Sequence, residues 1–228
     1  MHRTGLLVLA LAALAAGCSR GGSEDHAWEW SNQIPPGSTV HFRDGAGDIT
    51  VRPAPAGARM AVVTASRTWH RSRGRDVDFV VTQEGKDYYV CAMWRGSGRC
   101  GESGYRGRRI GGILEAFALF RRASDATASF VAQIPADVFV DARTTSGFVN
   151  VEGVSSGVTA RTTNGGITAS HVSGPMALTA VNGNVRLSVD NVSPSDSIHL
   201  MTTNGLIVAE LPPNIPSMFG GSSATIRP

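Results

Sequence analysis

The sequence predicts an all-β fold, a single domain wound as a parallel β-solenoid with coils of about 18 residues, and three observations carry that expectation. A turn dipeptide returns on a nearly fixed count. Ser146-Gly147, Asn164-Gly165, Asn182-Gly183 and Asn204-Gly205 lie 18, 18 and 22 residues apart, and self-similarity at a fixed period is the mark of stacked units. Apolar residues fall into columns when the same step is applied, with four extra residues allowed before the last copy. Composition agrees: 27 glycines, 42% hydrophobic and only 17% charged residues suit tight corners around a core of small side chains.

The N-terminus reads as a processing signal, residues 1–17. His2 and Arg3 give a positive start, residues 5–14 are apolar but too short to span a bilayer, and Ala15-Ala16-Gly17 precede Cys18. The run L-A-A-G-C resembles a bacterial lipobox, with Ala15 standing where a branched apolar residue is usual. On that resemblance Cys18 becomes the lipidated N-terminus, and acylation contributes about 0.8 kcal/mol per buried methylene. Ser19 after the cysteine points to the outer membrane of a Gram-negative cell. Residues 18–27 are polar and rich in Gly and Ser, a tether.

Residues 28–228 form the solenoid domain, with 28–136 as a first coil plus a strand-rich cap and 137–228 as the repeat coils. Trp28 and Trp30 open the folded part. Gly47-Asp48-Ile49-Thr50-Val51 parallels Gly147-Phe148-Val149-Asn150-Val151, a first copy of the repeat. Strand-like runs follow at 60–68 and 77–94, with Glu84-Gly85-Lys86-Asp87 as a hairpin turn. Residues 95–112 are too rich in Gly and Arg for a regular element. Apolar residues at helical spacing predict one short helix over 113–122, whose Phe117, Leu119 and Phe120 cap an open end of the coil, with insertion into a membrane as the other reading. Residues 129–135 return to strand.

The array then runs in five columns. Val140, Val158, Met176 and Ile198 make the first; Ala142, Ala160, Leu178 and Leu200 the second. Val149, Ile167, Val185 and Ile207 follow, then Val151, Ala169, Leu187 and Ala209. Val154, Val172 and Val192 stand near the opposite corner. Strand alternation points Asp141, Thr159, Ala177 and His199 outward. The extra residues at 190–197 bulge from one corner. Asn-Gly suits the corners because both residues tolerate positive φ, and stacked Asn amides can bond as a ladder.

The segment ASFVAQIPADVFVDARTTSGFVNVEGVSSGVTARTTNGGITASHVSG, residues 128–174, resembles the adhesin family of bacterial β-strand-repeat envelope proteins. Its T-x-S/N-G-x-I-x-V and G-V-x-G-x-V units carry the resemblance, which covers about residues 40–211 and is weak through 95–122. The resemblance implies a single-stranded β-helix. That family has no assigned biochemical function, and its title of adhesin is an inference from shape.

Two further cysteines, Cys91 and Cys100, lie nine residues apart; in an exported chain they read as a local disulfide, stabilising by about 2–3 kcal/mol. A metal shell would need more ligands, and His70 and His171 are far off in sequence. Charge is uneven. Between Arg67 and Arg122 twelve basic residues face six acidic ones, whereas from Asp137 onward four Arg face six acids. Within the basic half, Arg95, Arg99, Arg106, Arg108 and Arg109, with Trp94 and Tyr105, form a candidate surface for anionic ligands. Lipopolysaccharide phosphates, anionic headgroups or an acidic glycan fit it, and export argues against nucleic acid. A solvated loop is the other reading.

No catalytic, cofactor-binding or metal-binding residue is assigned. Gly96-Ser97-Gly98-Arg99-Cys100-Gly101 spells a dinucleotide fingerprint, but further glycines follow where a helix must begin. Asp137 and Asp141 lie about 13 Å apart on an extended strand, too far for a hydrolytic pair. Asp190 and Asp196, with Arg186, are the better candidates for a glycan lyase or hydrolase. No histidine, arginine and carboxylate converge in the columns, and no G-x-S-x-G elbow occurs. The expectation is therefore a non-enzymatic cell-envelope lipoprotein, an adhesin or structural binding module. The alternatives are a polysaccharide-processing enzyme and an accessory or sensor subunit of an envelope complex.

Overall fold

The computed structural model describes residues 23–69, 77–94, 99–102, 126–212 and 224–227. The chain is all-β; among the described residues there are sixteen strands and no helix. Two open, mixed sheets bury one apolar core between them. The helix expected at 113–122 lies outside the described residues.

The first sheet contains β1 (Ser23–Gln33), β3 (Ile49–Pro53), β4 (Met60–Trp69), β7 (Thr127–Ile134), β9 (Val149–Glu152), β11 (Ile167–Ser173), β13 (Val185–Asn191), β15 (Ile207–Glu210) and β16 (Ala224–Arg227). The second contains β2 (Thr39–Arg43), β5 (Val77–Glu84), β6 (Asp87–Trp94), β8 (Phe139–Ser146), β10 (Val158–Asn164), β12 (Met176–Asn182) and β14 (Ile198–Asn204). From β8 to β15 the chain alternates between sheets, so each pair of strands adds one parallel rung to both. Strand orders are β1-β4-β7-β3-β9-β11-β13-β15-β16 and β14-β12-β10-β8-β2-β6-β5.

Period-2 alternation decides which side chains are inside. In β10 and β12 the pattern places Val158, Ala160 and Thr162, then Met176, Leu178 and Ala180, in the core. The expected columns are register partners: Ala142 pairs with Ala160, Ala160 with Leu178, and Leu178 with Leu200. In the first sheet Val149, Ile167, Val185 and Ile207 line up the same way. The early copy takes its place too, with Val40 opposite Val140 and Ile49 opposite Val149. Antiparallel strands finish one end: β1 and β4 beside β7, and the β5–β6 hairpin beside β2, its Glu84 opposite Asp87 around Gly85 at φ 64°.

Three expectations need correction. Residues 18–27 were expected to be a tether, yet β1 begins at Ser23, opposite Trp69. The backbone there satisfies the edge of β4, a demand that composition does not reveal. The fifth column does not reach Val192, because Val172 pairs with Val189. His171, at φ 52°, adds a residue to β11, and Asp190 then adds one to β13, so two bulges cancel. The Asn residues at the corners do not take positive φ. Among the described residues only His171 and glycines do. Asn164, Asn182 and Asn204 form the expected amide ladder, with Nδ2–Oδ1 distances of 2.9 and 2.7 Å. The glycines that follow them are needed for close approach. A Cβ at Gly165 or Gly183 would stand 1.9 Å from the carbonyl oxygen of the preceding corner glycine.

Candidate functional site

The outer face of the second sheet gathers the charged side chains that the sequence pattern scatters. In β2 and β8 the alternation that buries Val40, Phe42, Val140 and Ala142 turns His41, Arg43, Asp141 and Arg143 outward. The register then places His41 beside Asp141, and Arg43 beside Arg143. β6 supplies a lid on the far side, because Tyr89 is the register partner of His41 and Cys91 that of Arg43.

Asp141 is the hub. Its Oδ2 lies 2.8 Å from His41 Nδ1, 2.6 Å from Arg43 Nη2 and 3.0 Å from Arg143 Nη2; Arg143 Nε donates to Oδ1 at 3.1 Å. Arg43 Nη1 donates to the carbonyls of Phe42 and Asp141, both at 3.0 Å. The His41 ring stacks on Tyr89, centroids 4.3 Å apart and planes 7° from parallel, and the Arg43 guanidinium stands 5.9 Å from the same ring. Burial alone would raise the Asp141 carboxyl. The His41 hydrogen bond and the two guanidinium groups outweigh it and hold Asp141 at about 2. Burial lowers the Arg43 guanidinium from its ordinary value, against the pull of Asp141, and burial raises the Tyr89 hydroxyl.

Beside this cluster a groove of about 300 Å³ crosses β2, β8, β10, β12 and β14. Its floor is the register row His41, Asp141, Thr159, Ala177 and His199. Phe139, Pro175 and Ser197 form the wall at the corner, and Arg143 closes the opposite side. The small side chains of Thr159 and Ala177 make the depression between the two histidines. Arg161, exposed and in register with Arg143, extends the basic row to a third strand.

The structure brings few of the sequence-derived candidates here. Cys91 and Cys100 form the expected disulfide, Cα atoms 5.8 Å apart, which ties the segment carrying exposed Arg99 to the rung beside Arg43. Arg95, Arg106, Arg108, Arg109 and the lipidation candidate Cys18 lie outside the described residues. Asp190, Asp196 and Arg186 do not line the groove. Asp190 bonds His171 at 3.0 Å, Asp196 accepts the Ser193 N–H at 2.8 Å within its own turn, and Arg186 sits in the first sheet opposite Thr168 and Val208.

Asp137 pairs with Arg59 rather than with Asp141. Asp141 is outward by alternation, as expected, but it is buried. The columns hold no histidine, arginine or carboxylate, as expected, but His41, Arg43, Asp141 and Arg143 converge outside them, on the outer face of β2 and β8. The signal was legible: the alignment of residues 45–51 with 145–151, carried four residues back, sets His41 against Asp141 and Arg43 against Arg143.

Among the described residues no three His, Cys, Asp or Glu side chains gather as a metal shell requires, and no helix is long and apolar enough to cross a membrane. The arrangement offers guanidinium groups, two imidazoles, hydroxyls and an aromatic side chain along one groove. No protein-family model, curated protein or solved structure matches this chain.

Proposed function

We propose that the chain is a non-enzymatic cell-envelope lipoprotein, anchored through Cys18, whose strands wind as an open β-solenoid and whose second sheet binds an anionic glycan on its outer face. The solenoid reading rests on the one-rung advance of both sheets with each repeat. The binding reading rests on one observation. Arg43, Arg143 and Arg161 are register partners on three successive strands, and Asp141 is the one carboxylate bonded among them. Arg43 is taken up by Asp141, and Glu84, Glu102 and Asp87 act on the neighbouring Tyr89. What the face offers a ligand is therefore the local pair Arg143 and exposed Arg161 beside an open groove; Arg forks pair with carboxylate, sulfate or phosphate.

The competing reading, a polysaccharide-processing enzyme, draws on the His41–Asp141 pair. Asp141 has both oxygens engaged and is ionised far below neutral pH, so it has no proton to give to a leaving group. The balance of chemistry favours binding.

Retention of the purified chain on immobilised polygalacturonate tests the binding reading. Retention should occur at low salt, fall steeply as ionic strength rises, and drop in Arg143→Ala and Arg161→Ala. No retention, or retention indifferent to both substitutions, sinks it. For the anchor, Cys18→Ser should move the protein from the membrane fraction to the soluble one, and unchanged partitioning refutes lipidation.

A further inference from the structure

We infer that the groove on the second sheet takes an extended acidic polysaccharide lying across the strands, one sugar unit per rung, rather than a single anionic group; this rests on the binding reading above. The groove follows the row His41, Asp141, Thr159, Ala177 and His199, in which each residue sits on a different strand. Neighbouring strands are about 4.8 Å apart, so the row spans roughly 19 Å. That spacing is close to the length of one pyranose in an extended chain. A polymer running along the row would therefore meet an equivalent position at every step.

The chemistry of the walls fits alternating faces of such a chain. On one side Arg143 lines the groove with Nε and Nη2 held by Asp141, and exposed Arg161, in register on the next strand just beyond the lining, stands beside it. The remaining N–H groups of the pair face carboxylates of successive units. On the other, Phe139 and Pro175 close together over Gly157 as one apolar patch for the C–H face of a ring. Hydroxyls of Thr39, Thr159 and Ser197 line the trough, and the histidines mark its two ends. A phosphate or a lipid headgroup would use the arginines alone and leave the other three strands idle. The five-strand length and the trough dug by Thr159 and Ala177 are what single out a chain.

Calorimetric titration of the purified chain with galacturonate oligomers of increasing length tests this. Affinity should rise by at least about tenfold from the monomer to the pentamer and then level off, because units beyond the fifth find no rung. Neutral cello-oligomers of equal length should bind far more weakly. Ala177→Trp, which fills the middle of the trough on an outward-facing position, should abolish the gain in affinity with length.

If pentamer and monomer bind equally well, and both depend on Arg143, the surface is an anion site but the polymer inference is wrong. If oligomers of every length fail to bind, the binding reading falls with it. Equal affinity for anionic lipid vesicles, unaffected by Ala177→Trp, would assign the face to a membrane and overturn the inference. Circular dichroism of each variant, unchanged from the parent, guards against loss of fold.

Discussion

Asp44 occupies, on the rung of β2, the place that Thr144 holds on the rung of β8. Arg43 and Arg143 are register partners, and the Asp44 N–H donates to the Arg143 carbonyl at 2.8 Å. On the later rungs the threonines of this row each donate to a corner glycine carbonyl: Thr144 to Gly47 at 3.1 Å, Thr162 to Gly147 at 3.0 Å and Thr202 to Gly183 at 2.7 Å. Asp44 makes no such bond. Its Oδ1 accepts from the Ala46 N–H at 3.2 Å, while its Oδ2 is buried without a partner. Burial pushes the carboxyl up from 3.8 to about 8, against the backbone hydrogen bonds of Ala46 and Gly45.

A consequence for pH follows. Because the folded value lies above the unfolded one, the native state binds the proton more tightly. The resulting stability is complete below about pH 4 and is lost as pH rises through about 8, a change on the order of several kcal/mol. Asp44→Asn should flatten the urea midpoint across that window and exceed the parent above pH 8. Asp44→Thr, which copies Thr144, should do so while adding the missing bond to the row. A parent protein with equal stability at pH 5 and pH 8.5 would remove the basis for this assignment.

Asp141 predicts the opposite slope. Its folded value of about 2 lies below the ordinary 3.8, so its contribution is present above about pH 4 and is lost as pH falls through about 2. Asp141→Asn leaves Arg43, 3% exposed, without its counter-charge. Breaking a buried pair from one side costs about 3–5 kcal/mol. Denaturant unfolding at neutral pH should show that loss, and a cost under 1 kcal/mol would mean that Arg43 reaches water.

The corner glycines and the Asn ladder differ in weight. A Cβ at Gly165 would fall 1.9 Å from the Gly147 carbonyl oxygen, which is backbone and cannot step aside, and its φ is 149°. Gly165→Ala should therefore cost at least about 2–3 kcal/mol. Asn182→Ala removes two exposed amide bonds and should cost only about 1 kcal/mol. The reverse order in a thermal scan would make the ladder, not backbone proximity, the stronger constraint on the corner.

Much of this architecture was legible because stacked rungs repeat their demands. Ala142, Ala160, Leu178 and Leu200 need the same environment one rung apart, so one period exposes a whole column. The cluster around Asp141 was harder to see. His41 and Arg43 reach it across about a hundred residues of intervening chain, so the cluster shows only when the early copy of the repeat is aligned with the array and carried back past its turn. Tyr89 lies on a hairpin with no repeat character, so nothing in its sequence neighbourhood marks it as the surface on which His41 stacks. The bulges were invisible for a different reason. They cancel within a few residues, so the offset of 18 between partners at Ala169 and Leu187 returns at Ser173 and Asn191, while Val189 takes the place expected of Val192.

His171 is where that cancellation is held. Its φ of 52° is a left-handed conformation that side chains with a Cβ adopt at a cost, and its Nδ1 lies 3.0 Å from Asp190 Oδ1, the residue that makes the compensating bulge. Both side chains are exposed, so the pair itself is worth at most about 1 kcal/mol. The backbone shape should matter more. His171→Gly loses the pair and relieves the left-handed strain, and its stability should stay within about 1 kcal/mol of the parent. His171→Val loses the pair and places a β-branched residue in the same conformation, and should cost clearly more, about 2 kcal/mol. Asp190→Ala removes the pair alone and should cost least. Equal losses in the Gly and Val variants would show that the imidazole, not the turn it permits, keeps β11 and β13 in register.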